Sequence, residues 1–280
     1  MAFAFWIFAW WLNQRLVAID TGHNVALTRA IGLAVPLIFG LTLFVLWELL
    51  VRGLDVSPIL LPPPSAVAER MANSGTTLWA DFQQTFKAVI AGYVMGCGSG
   101  FLVALAVDRS PFLKNGLLPL GNFVSALPIV GVAPIMVMWF GFDWQSKAAV
   151  VVVMTFFPML VNTVQGLAAA DSMSRDLLKT YAASWWQTLL KLRLPAAAPF
   201  IFNALKINST LALIGAIVAE FFGTPIVGMG FRISTEVGRM NIDMVWAEIA
   251  VAALAGSAFY GAVVLIERAV TFWHPSNRRQ

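Results

Sequence analysis

The chain has 280 residues, of which 59% are hydrophobic and 11% charged, and its mean hydropathy is +0.79. Soluble domains carry about 25% charged residues, so this composition excludes a soluble globular protein. The net charge of +4 is too small to mark a nucleic-acid binder; it bears on orientation in a membrane.

In chain order, the N-terminal "MAFAFWIFAWWL" is apolar for about a dozen residues, too short to span. It has no charged segment before its apolar part and no clear small-residue cleavage site, so it makes a poor signal peptide. Three tryptophans in eleven residues suit a helix lying in the interface, and residues 1–30 are expected to be cytoplasmic or interfacial. Six apolar runs then have the length a bilayer requires: 31–51, 85–107, 117–140, 148–169, 199–222 and 247–270. Proline-rich 54–70 cannot span, and 107–116 and 141–147 are expected as short loops. The transmembrane domain is expected to cover 31–273, and 274–280 to form a cytoplasmic tail. Gly92, Gly96 and Gly100 share one face of span two, where bare glycine lets helices pack closely in lipid. Pro128 and Pro134 in span three and Pro158 in span four are expected to kink their helices. Cys97 lies in an apolar run as a packed thiol.

Cations orient the spans. With the N-terminus in the cytoplasm, twelve of the eighteen Lys and Arg residues fall on the cytoplasmic side and six outside. Both termini and the loop between spans four and five are then cytoplasmic.

That loop contains "KTYAASWWQTLLKLRLP", residues 179–195. From Asp176 to Lys191, polar or small and apolar positions alternate in pairs with a period of four. A helix turns about 100° per residue, so such a stripe rolls about 40° per repeat, and one straight helix could not keep it on one partner. Two short helices with a bend could. Ser184-Trp185-Trp186-Gln187 fits the S-x-x-Q capping box that starts a helix. The first helix is expected to start near Ser172 or Ser174, the bend to fall at Ala182-Ala183, and the second helix to end near Leu194-Pro195. The fold class is therefore all-α membrane protein, with about six spans and a cytoplasmic helix-bend-helix between spans four and five.

In span five, Asn203, Asn208, Ser209 and Thr210 are polar. Three consecutive polar positions cannot all face lipid, so some face a partner helix or a solute pathway. Glu220, near the outer end, is either a structural acid or a gate.

"AASWWQTLLKLRLPAAAPFI" resembles the EAA loop of permease subunits of type I bacterial ATP-binding-cassette importers. Laid on this chain, the Glu-Ala-Ala of that loop falls on Asp176-Leu177-Leu178, its glycine on Ala182 and its leucine-proline on Leu194-Pro195. "LPPPSAVAERM", "LPIVGVAPIMVMWFG", "AEFFG" and "LIERAVTFW" resemble segments of the nitrate/sulfonate/taurine branch across residues ~55–273. The loop after span five resembles, in outline, subfamily members for heterocyclic nutrients. The resemblance implies a bacterial inner-membrane protein that binds no cofactor itself. It implies a second permease subunit, two ATPase subunits carrying ATP and Mg, an extracytoplasmic solute-binding protein, and no nucleic acid. It further implies that Asp176, Tyr181, Ala182, Ala183, Ser184, Trp185, Gln187, Leu194 and Pro195 meet the ATPase; the polar residues of span five, Asn203, Asn208, Ser209, Thr210 and Glu220, are the candidates for the pathway or its gate.

No G-x-x-x-x-G-K-[ST] occurs, so any ATP hydrolysis is expected from a partner. The two histidines, His23 and His274, lie near opposite ends of the chain, and no metal site is expected. A secondary carrier or channel is the rival reading; carriers bury ionisable residues as proton relays, and Glu220 is the one strong candidate.

Overall fold

A computed structural model describes residues 2–19, 25–125, 127–223 and 226–272. The expected tail at 274–280, with His23 and His274, lies outside them. Every regular element among the described residues is helical. The chain divides into two compact units, Met1–Gly75 with Glu236–Ala247, and Thr76–Thr235 with Glu248–Gln280.

In the first unit, α1 (Ala2–Val17) packs along α2 (Val25–Gly53). α3 (Pro64–Asn73) opens on a proline, whose missing N–H costs nothing at a helix start. Glu48 on α2 accepts the Ser65 N–H at 3.0 Å and the Ser65 hydroxyl at 2.8 Å, anchoring that start. Arg70 of α3 pairs with Asp243 at 2.7 Å, and the Trp47 and Trp246 rings lie 4.8 Å apart.

The second unit holds α4 (Gly75–Arg109), α5 (Pro111–Ser125), α6 (Ile129–Phe140), α7 (Trp144–Ala168), α8 (Ser172–Thr180), α9 (Trp185–Thr188), a π turn (Leu189–Arg193) and α10 (Leu194–Glu220). α11 (Met229–Gly238) and α12 (Ile242–Val270) each pass from one unit into the other. Side chains from α4, α7, α10, α11 and α12 form the main core, including Val89, Val151, Leu213, Met229 and Ala252. Gly92, Gly96 and Gly100 turn toward α7: an added Cβ would meet Val151 from Gly92, the Thr155 hydroxyl from Gly96 and the Phe156 carbonyl from Gly100. Close approach there requires the missing side chains.

Among the described residues, five helices are long and apolar enough to cross a membrane: Ala26–Gly53, Gly75–Arg109, Trp144–Ala168, Trp185–Glu220 and Ile242–Val270. The run expected as span three is instead two helices, α5 and α6. Pro128, with φ −68° and ψ 119°, stands before α6 rather than kinking one long helix. It has no N–H to continue the ladder and disfavours helical backbone at Leu127. The expected loop at 107–116 shrinks to Ser110, because α4 runs through Arg109 and α5 starts at Pro111. The segment after α10, expected as an outward-facing loop, contains α11. Pro134 and Pro158 do lie inside their helices.

Candidate functional site

The segment between α7 and α10 folds as two helical limbs around a tight bend. Asp171 caps α8, accepting the Ser174 N–H at 2.8 Å, and that bond holds its exposed carboxyl below the usual aspartate range. Asp176 pairs with Lys179 at 2.9 Å on the exposed face of α8.

α8 ends in a Schellman motif. The Ala183 N–H donates to the Leu178 carbonyl at 3.0 Å and the Ala182 N–H to the Lys179 carbonyl at 2.9 Å. This closure places one residue in the left-handed region, usually glycine. Here it is Ala182, with φ +54°, at the position where the resembling family has its glycine. Ala182 thus adopts the left-handed angle without being the residue that takes it most readily. Two residues on, the capping box forms in full: the Gln187 N–H donates to Ser184 Oγ at 3.3 Å, and the Ser184 N–H to Gln187 Oε1 at 2.7 Å. The bend exposes Tyr181 and Trp186, and Met173 and Leu177 on α8 beside it. Trp185 turns inward, packing with Leu194 around buried Leu167, Leu189 and Ala197.

The second limb does not stop at Leu194-Pro195 as expected. Helical chain runs unbroken from Trp185 to Glu220. The π turn makes this possible: the Leu194 N–H reaches back five residues to the Leu189 carbonyl, and Pro195 falls in the first turn of α10, where a missing N–H and a fixed φ are tolerated.

The polar groups of α10 divide between two faces. Asn208 and Ser209 are buried. Asn208 Nδ2 donates to the Thr155 carbonyl at 2.8 Å and contacts Cys97 Sγ at 3.1 Å, while the Ser209 hydroxyl returns to the Lys206 carbonyl at 2.7 Å. They join α10 to α4 and α7 or satisfy α10 itself. Asn203 and Thr210 are exposed, in one stripe with Ile207 and Ile214. Asn203 Nδ2 lies 3.5 Å from Asn162 Oδ1 on α7.

Glu220 is buried at the far end of α10. Its carboxylate accepts the Thr85 hydroxyl at 2.8 Å and the Gly230 N–H at 2.7 Å. Thr85 Oγ1 accepts the Met229 N–H at 2.8 Å, and Asp81 accepts the Gly228 N–H at 2.7 Å. Three consecutive N–H groups at the start of α11 are thus satisfied by side chains from α4 and α10, and two carboxylates meet the positive end of that helix. Arg232 balances Asp81 at 2.8 Å. Lys147 donates to the Phe142 carbonyl at 2.6 Å and to the Gly223 carbonyl just past α10. Glu220 therefore caps a helix and does not line an open face. Sequence reasoning missed Asp81, Lys147 and Glu248, a further fully buried acid on α12. Ionisable residues within long apolar helices were the available signal.

Comparison with known proteins accords with this architecture. Residues 88–272 match the model of the binding-protein-dependent transport system inner membrane component family. The chain is 31% identical to the riboflavin transport system permease protein of Chloroflexus aurantiacus, over 88% of this chain and 91% of that one. It is 30% identical to the formylaminopyrimidine transport permease protein of Halalkalibacterium halodurans, over 85% and 95%. It is 25% identical to the taurine transport system permease protein of Escherichia coli, over 94% and 97%. The chain belongs to the family of binding-protein-dependent transport system inner membrane components.

Proposed function

We propose that this permease forms the solute pathway of an ATP-driven importer and is coupled to separate ATPase subunits through residues 176–195. The observation that carries this reading is the bend at Ala182-Ala183. A Schellman closure and a capping box hold a rigid, exposed helix-bend-helix between two long apolar helices, the shape that a soluble partner can grip from outside the membrane. Two copies of the chain would enclose the pathway, two ATPases carrying ATP and Mg would hold the two bends, and an extracytoplasmic binding protein would deliver the solute. The cation bias supports placing the bend and both termini in the cytoplasm. Exposed Trp6, Trp10 and Trp11 support α1 as a helix resting in the interface. The exposed stripe of Asn203 and Thr210 supports α10 as a wall of the pathway. The solute is a small organic nutrient, of the heterocyclic or sulfonate kind that the relatives' names carry.

The test is cross-linking in the assembled importer. A cysteine at Ala183, in a Cys97→Ala background, should link to the ATPase subunit and block ATP-driven uptake. An Ala183 cysteine that never reaches the ATPase in an active complex would overturn the placement. Uptake by the isolated chain driven by a proton gradient would overturn the importer itself.

A further inference from the structure

Arg193, the last residue of the π turn, reaches two other helices at once. Its guanidinium makes a two-pronged pair with Asp108, Nη1 to Oδ2 at 2.7 Å and Nη2 to Oδ1 at 2.6 Å. Nε and Nη2 also donate to the Leu167 carbonyl at 3.1 and 3.0 Å. Asp108 lies one residue before the end of α4, and Leu167 one before the end of α7. One planar group thus fastens the base of the bend to the adjoining ends of α4 and α7. The Leu167 carbonyl belongs to the last turn of its helix, where a cation is favoured. The Arg193 and Asp108 side chains are only 14% and 10% exposed, so water competes little for the pair.

Two further contacts reinforce the same union. The Arg109 guanidinium lies 5.1 Å from the centre of the Trp185 ring, a cation–π contact between the end of α4 and the start of the second limb. Leu105 of α4 and Trp185 pack with buried Leu167, Leu189 and Ala197. The chain connection onward to α10, which supplies Ala197 to that cluster, is helical throughout. It runs through a π turn, a rare form that often marks functional sites, and then through Pro195 and Pro199, which donate no backbone hydrogen bond.

We infer that Asp108 and Arg193 are positioning residues that pass the movement of the bend to the adjoining ends of α4 and α7. This rests on the coupling role proposed above. Lysine cannot replace Arg193, because an ammonium has no planar fork with which to hold a carboxylate and a carbonyl together.

The test uses the complete importer in liposomes, with Asp108→Asn and Asp108→Ala, both on α4 and outside residues 176–195. The ATPase subunits should still co-purify and hydrolyse ATP within about twofold of wild type, while solute moved per ATP falls at least about tenfold, a loss within the range of allosteric coupling. Spin labels at exposed Met173 and Leu102, in a Cys97→Ala background, give a second reading. Their separation should stay constant through the ATP cycle in the wild type and shift with ATP in the variants. Unchanged transport per ATP in both variants would overturn the inference. So would a wild-type Met173–Leu102 separation that shifts with ATP, a measurement that stands even where the variants fail to assemble. Failure of the ATPase to co-purify with the wild-type chain would instead overturn the coupling role.

Discussion

Replacing Ala182 by glycine should tighten the bend. Ala182 sits at φ +54°, where a Cβ crowds the following carbonyl at a cost of roughly 1–2 kcal/mol. Glycine removes that strain but brings more backbone entropy to the unfolded loop, roughly 0.5–1 kcal/mol. The net gain is then about 0.5–1 kcal/mol, a factor of about two to five in the local opening equilibrium. The amides that report it are those of Ala182 and Ala183, which donate to Lys179 and Leu178. Their hydrogen exchange, followed by mass spectrometry with the protein in nanodiscs, should slow by that factor in Ala182→Gly. Ala182→Val should speed it, since a β-branched residue fits this backbone region worse than alanine. Unchanged or faster exchange in the glycine variant would refute the strain argument and the Schellman assignment with it.

Glu220→Ala should leave the Gly230 N–H and the Thr85 hydroxyl without their acceptor, at about 1–3 kcal/mol for each buried group. The midpoint of thermal unfolding in detergent should then fall by about 5 °C or more, with Glu220→Gln intermediate; normal stability with abolished uptake would make Glu220 a solute contact instead. Gly96→Leu should force α4 away from α7, because its Cβ would overlap the Thr155 hydroxyl and lie 3.0 Å from Val152 backbone, whereas Gly98→Leu has nothing within 4 Å to meet. Folded yield by size-exclusion chromatography should collapse for the first and hold for the second.

Several features were legible because they are local. The capping box lies within four residues, and the four-residue repeat asked for a break beside it. A helix that rolls its apolar face must bend to keep packing, and the bend falls at Ala182-Ala183. The second limb's end was misread at Pro195. Proline forbids one hydrogen bond, but whether the helix ends depends on whether the preceding turn can widen, and the Leu189–Arg193 segment widens into a π turn. Span three was misread for the opposite reason. Apolar length is necessary for a crossing helix but does not keep it whole, and Pro128 separates α5 from α6.

Membrane class, the long helices and the bend follow from the sequence by itself. Lipid offers no hydrogen bonds, so a crossing segment must be helical and apolar over a known length. The division of α10's polar groups was decided only by tertiary structure. Asn208 and Ser209 face in, and Asn203 and Thr210 face out, according to how the helix is rotated against α7 and α4. The same holds for Glu220, which meets Thr85 135 positions away in the chain, and for Arg193, which meets Asp108 85 positions away. A residue's period places it on a face of its own helix. What that face meets is set by packing among helices distant in sequence.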